Sequence, residues 1–204
     1  MNNDFNNKTV IITGAGSGIG RAIADAFYKL NANVCITDIS LEAARETQNI
    51  IGEERSQVYK LDVTNNNNIK KVFDKIIDIN KKFEVLISNA GVSTMNYVEN
   101  LTEEEWDFNM NVNAKGVFLT NQNAINFFKS SKTKGKIVNT ASLAGKVGAP
   151  LLAHYSASKF AVIGFTQALA REVAKDGIRV NAVCPGLVKT GMQDREVIWE
   201  AKLR

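Results

Sequence analysis

Cysteine, histidine and proline are all scarce in this chain of 204 residues. It has two cysteines, one histidine and two prolines. Cys35 and Cys184 each lie inside an apolar run and share no spacing typical of a metal site, so with a single histidine no metal centre is expected. Two isolated thiols are typical of reduced cysteines in a cytoplasmic protein rather than of a disulfide framework.

Long hydrophobic runs and targeting signals are missing as well. No apolar run approaches the roughly 20 residues that a membrane-spanning helix needs, and Met1 to Asn7 contain no basic segment followed by an apolar one. The net charge is +4, but its lysines are spread along helical segments without interleaved aromatic residues. These absences predict a soluble, cytoplasmic protein that binds neither membranes nor nucleic acid.

What the chain does have is a regular alternation of short apolar runs with longer amphipathic stretches. The apolar runs, rich in Val and Ile, are typical of strands covered on both faces. The predicted strands are Thr9–Thr13, Asn33–Thr37, Gln57–Leu61, Val85–Ser88, Lys136–Thr140 and Ile178–Val183. The predicted helices are Ile19–Leu30, Leu41–Ile51, Asn68–Lys81, Thr102–Lys129 and Leu151–Asp176. This order predicts one α/β domain over residues 1–204, with a doubly wound parallel sheet of the Rossmann type.

A glycine-rich turn joins the first predicted strand to the first predicted helix. It reads Thr13-Gly14-Ala15-Gly16-Ser17-Gly18-Ile19-Gly20. The glycines at 14, 18 and 20 allow a sharp turn and a close approach to a pyrophosphate, and the helix that follows directs its free N–H groups at that phosphate. Because the glycines lie between a strand and a helix, the pattern predicts a dinucleotide site.

Asp38 closes the second predicted strand, twenty positions after Gly18 (38 − 18). An acidic side chain there can accept hydrogen bonds from the adenosine ribose hydroxyls, and it would repel a 2′-phosphate. Arg21 lies beyond the glycines on the helix and is poorly placed to bind such a phosphate. We therefore predict NAD rather than NADP, and a cap for the loop into the next helix remains an alternative role of Asp38.

A second group of polar residues predicts acid–base chemistry. Tyr155 and Lys159 are four positions apart in a predicted helix, which puts both side chains on one face. A tyrosine has an ordinary pKa of about 10, and an ammonium group beside it is expected to lower that pKa. Ser142 follows the fifth predicted strand, at the sheet edge where such folds bind ligands, and its hydroxyl can donate to a substrate oxygen.

Together these segments resemble the short-chain dehydrogenase/reductase family over nearly the whole chain. The matching segments, in the order and spacing of the family, are Thr13-Gly14-x-x-x-Gly18-Ile19-Gly20, Asp62-Val63, Asn89-Ala90-Gly91, Asn111-Val112-Asn113, Ser142, Tyr155-x-x-x-Lys159 and Pro185-Gly186. The resemblance implies an NAD(H)-dependent oxidoreductase that interconverts a secondary alcohol and its ketone by hydride transfer. Tyr155 would be the general acid/base.

The resemblance also assigns a role to each matching residue. Asn113 would hold a water that links Lys159 to solvent, and Lys159 would also hold the nicotinamide ribose. The implied catalytic residues are Asn113, Ser142, Tyr155 and Lys159. The other implied cofactor-binding residues are Gly14, Ser17, Gly18, Ile19, Gly20 and Asp38 at the phosphates and ribose, Asp62 and Val63 at the adenine, Asn89, Ala90 and Gly91 at the adenosine ribose, and Pro185, Gly186, Val188 and Thr190 at the nicotinamide.

The substrate is less clearly marked in the sequence. A preference for NAD suggests alcohol oxidation, and the segment Thr190–Arg204 resembles polyol and sugar-alcohol members of the family, so we predict a small polyol or diol. A 3-oxoacyl-carrier-protein reductase is the alternative, which Asp38 disfavours because those relatives mostly use NADP. Family members continue past this chain's last residue with a helix and a seventh strand, so a truncated nucleotide-binding protein with impaired catalysis is a second alternative. A homodimer or homotetramer is expected by analogy.

Overall fold

The computed structural model describes residues 5–204 and contains a six-stranded parallel sheet flanked by helices. The prediction that Met1–Asn7 carries no secretory signal lies largely outside these residues. The strands are β1 (Thr9–Thr13), β2 (Asn33–Asp38), β3 (Ser56–Lys60), β4 (Val85–Ser88), β5 (Lys136–Thr140) and β6 (Arg179–Val183). The helices are α1 (Gly18–Lys29), α2 (Leu41–Ile51), α3 (Asn66–Asn80), α4 (Glu103–Asn109), α5 (Gly116–Ser130), α6 (Ala153–Val173) and α7 (Gly191–Leu203).

The strands lie in the order β3-β2-β1-β4-β5-β6, and all neighbours are parallel. This is the doubly wound order that the sequence predicts, so the predicted fold class is confirmed. The chain adds β2 and β3 on one side of β1, and then returns to add β4, β5 and β6 on the other side. The turns that follow β1 and β4 therefore diverge and leave a crevice at the carboxyl edge of the sheet.

The core consists of two apolar layers, one on each face of the sheet. Successive side chains of β1 point to opposite faces, so Ile11 packs in the layer that contains Phe73 and Phe83, whereas Ile12 packs in the layer that contains Val34. Because both faces are covered, all five positions of β1 are buried. This explains why β1 has no alternation of polar and apolar residues.

The predicted helix Thr102–Lys129 is where the structure departs most from the prediction. Its start is confirmed, because Thr102 and Glu105 form a reciprocal capping box. The predicted single α-helix is wrong, since a π-helical segment, Met110–Lys115, separates α4 from α5. Such a segment holds one extra residue per turn and is set by tertiary contacts that a helical repeat does not reveal.

The predicted bounds of β1, β4, β5 and α2 match the structure, and the remaining boundaries differ by at most three residues. The segment Thr190–Arg204 contains a further helix, α7, and the described residues that follow β6 form no further strand. Cys35 is buried as expected, but Cys184 is only half-buried, and both thiols are free. None of the helices in the described range combines the length and the hydropathy that a membrane span requires.

Candidate active site

A cleft of about 1300 Å³ opens at the carboxyl edge of the sheet, over the crevice between β1 and β4. This exceeds the ~300–1,000 Å³ that is common for ligand pockets. It brings together most residues of both predicted sets. Those that line it are Gly14, Ser17, Gly18, Ile19, Asp38, Asp62, Val63, Asn89, Ala90, Gly91, Ser142, Tyr155, Lys159, Pro185, Gly186, Val188 and Thr190. Gly20 and Asn113 are the two predicted site residues that do not line it.

The glycine-rich turn has a backbone that other residues would strain. Gly14 and Gly18 have φ values of +62° and +52°, and a Cβ on Gly14 would lie only 2.7 Å from the Cα of Ala90. Gly20 packs against the inside of the turn, where a Cβ would lie 2.7 Å from Nδ2 of Asn89. Gly20 therefore has a packing role within the turn, and its assignment to the cofactor stays a prediction. The open face of the turn forms a cradle in front of α1.

Asp38 lies at the edge of this cradle and is oriented by backbone groups. Its Oδ2 accepts a hydrogen bond from the N–H of Gly16 at 2.9 Å, and its Oδ1 accepts one from the N–H of Ser40 at 3.0 Å. The capping role is thus real, and the carboxylate still faces the cleft. Arg21 is turned away, because its guanidinium donates to the carbonyl of Gly16 at 2.6 Å and pairs with Glu46 at 3.0 Å.

Asn89 ties the ends of the central strands together. Its Nδ2 donates to the carbonyls of Thr13 and Gly14 at 3.1 and 3.2 Å. In return, Oγ1 of Thr13 accepts the N–H groups of Asn89 and Ala90 at 2.9 and 3.0 Å. These bonds hold the turn after β4 against the turn after β1, as expected of a residue that steadies the central sheet.

The remaining walls of the cleft come from the turns after β3 and β6. Asp62 is fixed by Thr64, whose N–H and hydroxyl donate to Oδ1 of Asp62 at 2.9 and 2.7 Å. Thr190 caps α7 by accepting the N–H of Gln193 at 3.3 Å. It also lies beside the glycine turn, since a Cβ on Gly18 would be 3.3 Å from its Cγ2. The segment before α7 therefore closes the cleft over the cradle.

Ser142, Tyr155 and Lys159 meet at the inner wall of the cleft. Nζ of Lys159 is buried, donates to the carbonyl of Thr140 at 2.9 Å and lies 5.6 Å from the centre of the Tyr155 ring. Oγ of Ser142 accepts the N–H of Ala144 at 3.1 Å, which leaves its own proton available to donate. The helical spacing predicted for Tyr155 and Lys159 thus brings the two groups together.

The protonation behaviour of Tyr155 differs from the expectation. Burial raises its pKa above the usual value; a hydrogen bond with Ser142 acts in the opposite direction, and the carboxylate of Glu196 adds to the rise. Burial also lowers the pKa of Lys159 to about 8. The predicted lowering of the Tyr155 pKa by Lys159 is wrong for this arrangement, because the ammonium group is itself desolvated and bonded to Thr140. Tyr155 is therefore a neutral phenol near pH 7.

Asn113 lies behind the catalytic wall rather than in the cleft. Its Oδ1 accepts the N–H of Val92 at 2.8 Å, and its Nδ2 donates to the carbonyl of Val92 at 2.9 Å and to Oγ of Ser158 at 3.0 Å. A Cβ on Gly91 would lie 3.2 Å from Oδ1 of Asn113 and 3.4 Å from Nζ of Lys159. The side chain thus holds the turn after β4, and the water link from Asn113 through Lys159 to solvent stays a prediction.

Sequence reasoning missed several residues that shape the site. Thr140 binds Lys159 through its backbone carbonyl, so no side-chain signal could reveal it. Val92 lines the cleft and is held by Asn113. Glu196 of α7 also lines the cleft and acts on Tyr155. Its approach across about 40 residues (196 − 155) depends on the fold alone.

Comparison with known proteins agrees with this geometry. Residues 8–201 match the family described as short chain dehydrogenase. A 3-oxoacyl-[acyl-carrier-protein] reductase of Thermotoga maritima is 38% identical over 192 residues, covering 92% of this chain and 77% of the relative. A meso-2,3-butanediol dehydrogenase of Serratia marcescens is 35% identical over 200 residues, covering 98% and 78%. The structure of an NAD+-bound xylitol dehydrogenase superimposes with a TM-score of 0.94 at 30% identity, covering 98% of this chain and 78% of the other.

A parallel sheet in the 3-2-1-4-5-6 order, with a glycine cradle and a Tyr–Lys pair at one edge, defines a nucleotide-binding oxidoreductase. The chain belongs to the short-chain dehydrogenase/reductase family, whose members act on CH–OH groups.

Proposed function

We propose that this chain is an NAD(H)-dependent enzyme that interconverts a small diol or polyol with the corresponding ketone. The observation that carries the proposal is the meeting of Tyr155, Ser142 and Lys159 on the wall of a cleft whose other end is the glycine cradle. One bound dinucleotide can span these two ends, because the cleft is continuous between them. When bound, the nicotinamide ring supplies the acceptor or donor of the hydride.

The residues of the cradle support a dinucleotide without a 2′-phosphate. The positive φ values of Gly14 and Gly18 open the backbone in front of α1, whose free N–H groups favour a pyrophosphate. The carboxylate of Asp38 faces the same space and disfavours further negative charge. Arg21 is occupied by Glu46 and is not available to a phosphate. We therefore assign NAD as the cofactor, with the cleft-lining residues of the predicted set as its binding site.

Proton transfer falls to Tyr155. As a neutral phenol near pH 7, it can donate to a ketone oxygen in the reductive direction, and as a phenolate it can accept the hydroxyl proton in the oxidative direction. Ser142 has a proton to donate, which would steady the substrate oxygen as negative charge develops. Lys159 is anchored on Thr140 beside the ring and lines the cleft, so we assign it to the nicotinamide ribose.

Small polyols fit the substrate end of the cleft. Val92, Val147, Leu152 and Met192 give this end an apolar lining, and Glu196 adds a carboxylate. A carboxylate can accept a hydrogen bond from a second hydroxyl of the substrate, which a diol has and a simple ketone lacks. The names of the similar proteins, a butanediol dehydrogenase and a xylitol dehydrogenase, point to the same chemical class.

A 3-oxoacyl-carrier-protein reductase is the second candidate. It is favoured by the similarity to the Thermotoga maritima enzyme of that name, at 38% identity. An acyl thioester has no hydroxyl to offer Glu196. The two candidates therefore differ in how they depend on this residue, and a Glu196→Gln variant should lose turnover with a diol but not with an acetoacetyl thioester.

The test is turnover by the purified chain with a panel of substrates. We expect NADH formation from NAD+ with meso-2,3-butanediol or xylitol, and a loss of about 10²–10⁴-fold in kcat for Tyr155→Phe with NADH affinity retained. Tyr97→Phe is the matched control, because Tyr97 is exposed and lies outside the cleft, and it should stay within twofold of the parent. NADH binding without turnover on any diol, polyol or acetoacetyl thioester would overturn the proposal and favour a catalytically impaired nucleotide-binding protein.

We further infer a homodimer or homotetramer in a reducing compartment. Phe118 of α5 and Phe160 of α6 are 42% and 46% exposed, and Trp106 of α4 is 42% exposed, which is the kind of apolar surface that subunit contacts cover. Two free thiols fit a cytoplasmic protein. Sedimentation at micromolar concentration should give a dimer or tetramer mass, and a monomer would refute the assembly.

A further inference from the structure

A buried polar cluster lies behind the cleft and takes no part in the chemistry proposed above. It consists of Thr94, Asn109 and His154. His154 and Asn109 are fully buried, and His154 does not line the cleft although it directly precedes Tyr155. Buried polar groups are costly unless they are bonded. A structural or functional role is therefore expected for this cluster.

Thr94 is the centre of the cluster. Nε2 of His154 lies 2.6 Å from Oγ1 of Thr94, and Nδ2 of Asn109 donates to the same oxygen at 2.9 Å. The hydroxyl of Thr94 can accept from Asn109 and donate its own proton to His154 when Nε2 of the imidazole is unprotonated, since a hydroxyl has one proton and two lone pairs. Burial lowers the pKa of His154, and the carboxylate of Glu105 and a hydrogen bond with the backbone of Thr94 act in the opposite direction. The imidazole is thus neutral near pH 7 and can accept that proton.

These bonds connect two elements that face the substrate. Thr94 belongs to the segment 91–97 after β4, whose Val92 lines the cleft. His154 belongs to the first turn of α6, which carries Tyr155. Asn113 holds the start of the segment through Val92, and the N–H of Asn96 donates to the carbonyl of Leu151 at 3.0 Å near its end. Between these two anchors, the hydrogen bond between Thr94 and His154 joins the segment to the first turn of α6, which carries Tyr155.

We propose that His154, acting through Thr94, is a positioning residue that fixes the segment 91–97 against the first turn of α6 and so sets the spacing between the substrate wall and Tyr155. This role rests on the proposed diol chemistry of the same cleft and deepens it. His154 does not touch the substrate or the cofactor site. Its loss should therefore change how the substrate is held and leave the dinucleotide end untouched.

The decisive variant is Thr94→Val, which removes the shared hydroxyl at nearly constant volume. We expect kcat/KM for the diol to fall about tenfold or more, mainly through a higher KM, while NADH affinity stays within twofold. Thr94→Ser keeps the hydroxyl and should restore kcat/KM to within threefold of the parent. In the double variant with His154→Gln, the loss should be no larger than for Thr94→Val alone, because Thr94→Val already removes the bond to His154 together with the one from Asn109.

The matched control is Thr166→Val. Thr166 lies in α6, and its buried hydroxyl is bonded to Asn139 and to the carbonyl of Val162. This variant should lower the Tm while leaving kcat/KM within twofold. The proposal is overturned if Thr94→Val keeps kcat/KM within twofold of the parent, or if Thr166→Val loses as much activity at an equal drop in Tm.

A second measurement does not depend on turnover. Amide hydrogen exchange of residues 91–97 should be at least tenfold faster in Thr94→Val than in the parent or in Thr94→Ser, with NADH binding retained in all three. Unchanged exchange would overturn the positioning role. If the parent turns over no diol, the proposed substrate class fails, and the exchange experiment still decides the role of His154.

Discussion

Replacing Asp38 by asparagine tests the most consequential assignment in the cleft, the choice between NAD and NADP. The variant removes one negative charge from the edge of the cradle but keeps an amide oxygen that can accept from the N–H of Gly16 or Ser40. The glycine turn should therefore keep its shape, and the change in affinity should report on the charge.

The magnitude follows from Coulomb's law. A carboxylate and a phosphate charge about 5 Å apart interact by about 3 kcal/mol at an effective dielectric constant near 20, which suits a partly exposed site. Every 1.4 kcal/mol is about tenfold in affinity, so NADPH should bind Asp38→Asn about 100-fold more tightly than it binds the parent. NADH should bind about five- to tenfold more weakly, because an amide is a poorer acceptor for ribose hydroxyls than a carboxylate.

The assay is fluorescence titration of NADH and NADPH against the parent and the variant. Glu42→Gln is the control, because Glu42 is an exposed carboxylate of α2 outside the cleft, and both affinities should stay within twofold. Raising the salt concentration should shrink the discrimination by the parent, since exposed charges are screened. The reasoning is refuted if the parent already binds both dinucleotides equally, or if their ratio changes by less than threefold in Asp38→Asn.

Three further outcomes follow from the structure. Gly164→Ala in α6 should raise the free energy of unfolding by about 0.5–1 kcal/mol, because the new Cβ meets no atom within 4 Å. Gly14→Ala should lower it by about 1–3 kcal/mol, because Gly14 has a positive φ and the new Cβ would clash with Ala90. Urea denaturation measures both variants, and equal stabilities would contradict the argument. Phe83→Ala should lower the free energy of unfolding by about 3–5 kcal/mol in the same assay, because the ring is fully buried and packs against Phe73 and Phe128. A loss under about 1 kcal/mol would show that the neighbouring side chains fill the cavity left by the ring. The initial rate of diol oxidation should rise between about pH 7 and pH 10, because burial holds the pKa of Tyr155 above its usual value and the phenolate accepts the proton; a flat profile over this range would exclude Tyr155 as the base.

The fold could be predicted because its signals are local. The apolar runs became the six strands of the sheet, and the positive φ values of Gly14 and Gly18 are a property of the turn between β1 and α1 itself. The four-residue spacing of Tyr155 and Lys159 likewise follows from the helical repeat. Patterns of this kind can be recognised in the sequence because the residues that form each of them are only a few positions apart.

Only the tertiary structure decided how the site is supported and charged. The π-helical segment places Asn113 against Val92 and Ser158, and His154 reaches Thr94 sixty residues away (154 − 94). Burial by the surrounding chain, rather than the neighbouring Lys159, sets the pKa of Tyr155. Hydrogen bonds between distant segments and the loss of solvent around a charge depend on where the whole chain lies, so the residue pattern determined which groups enter the cleft, and packing determined what each of them does there.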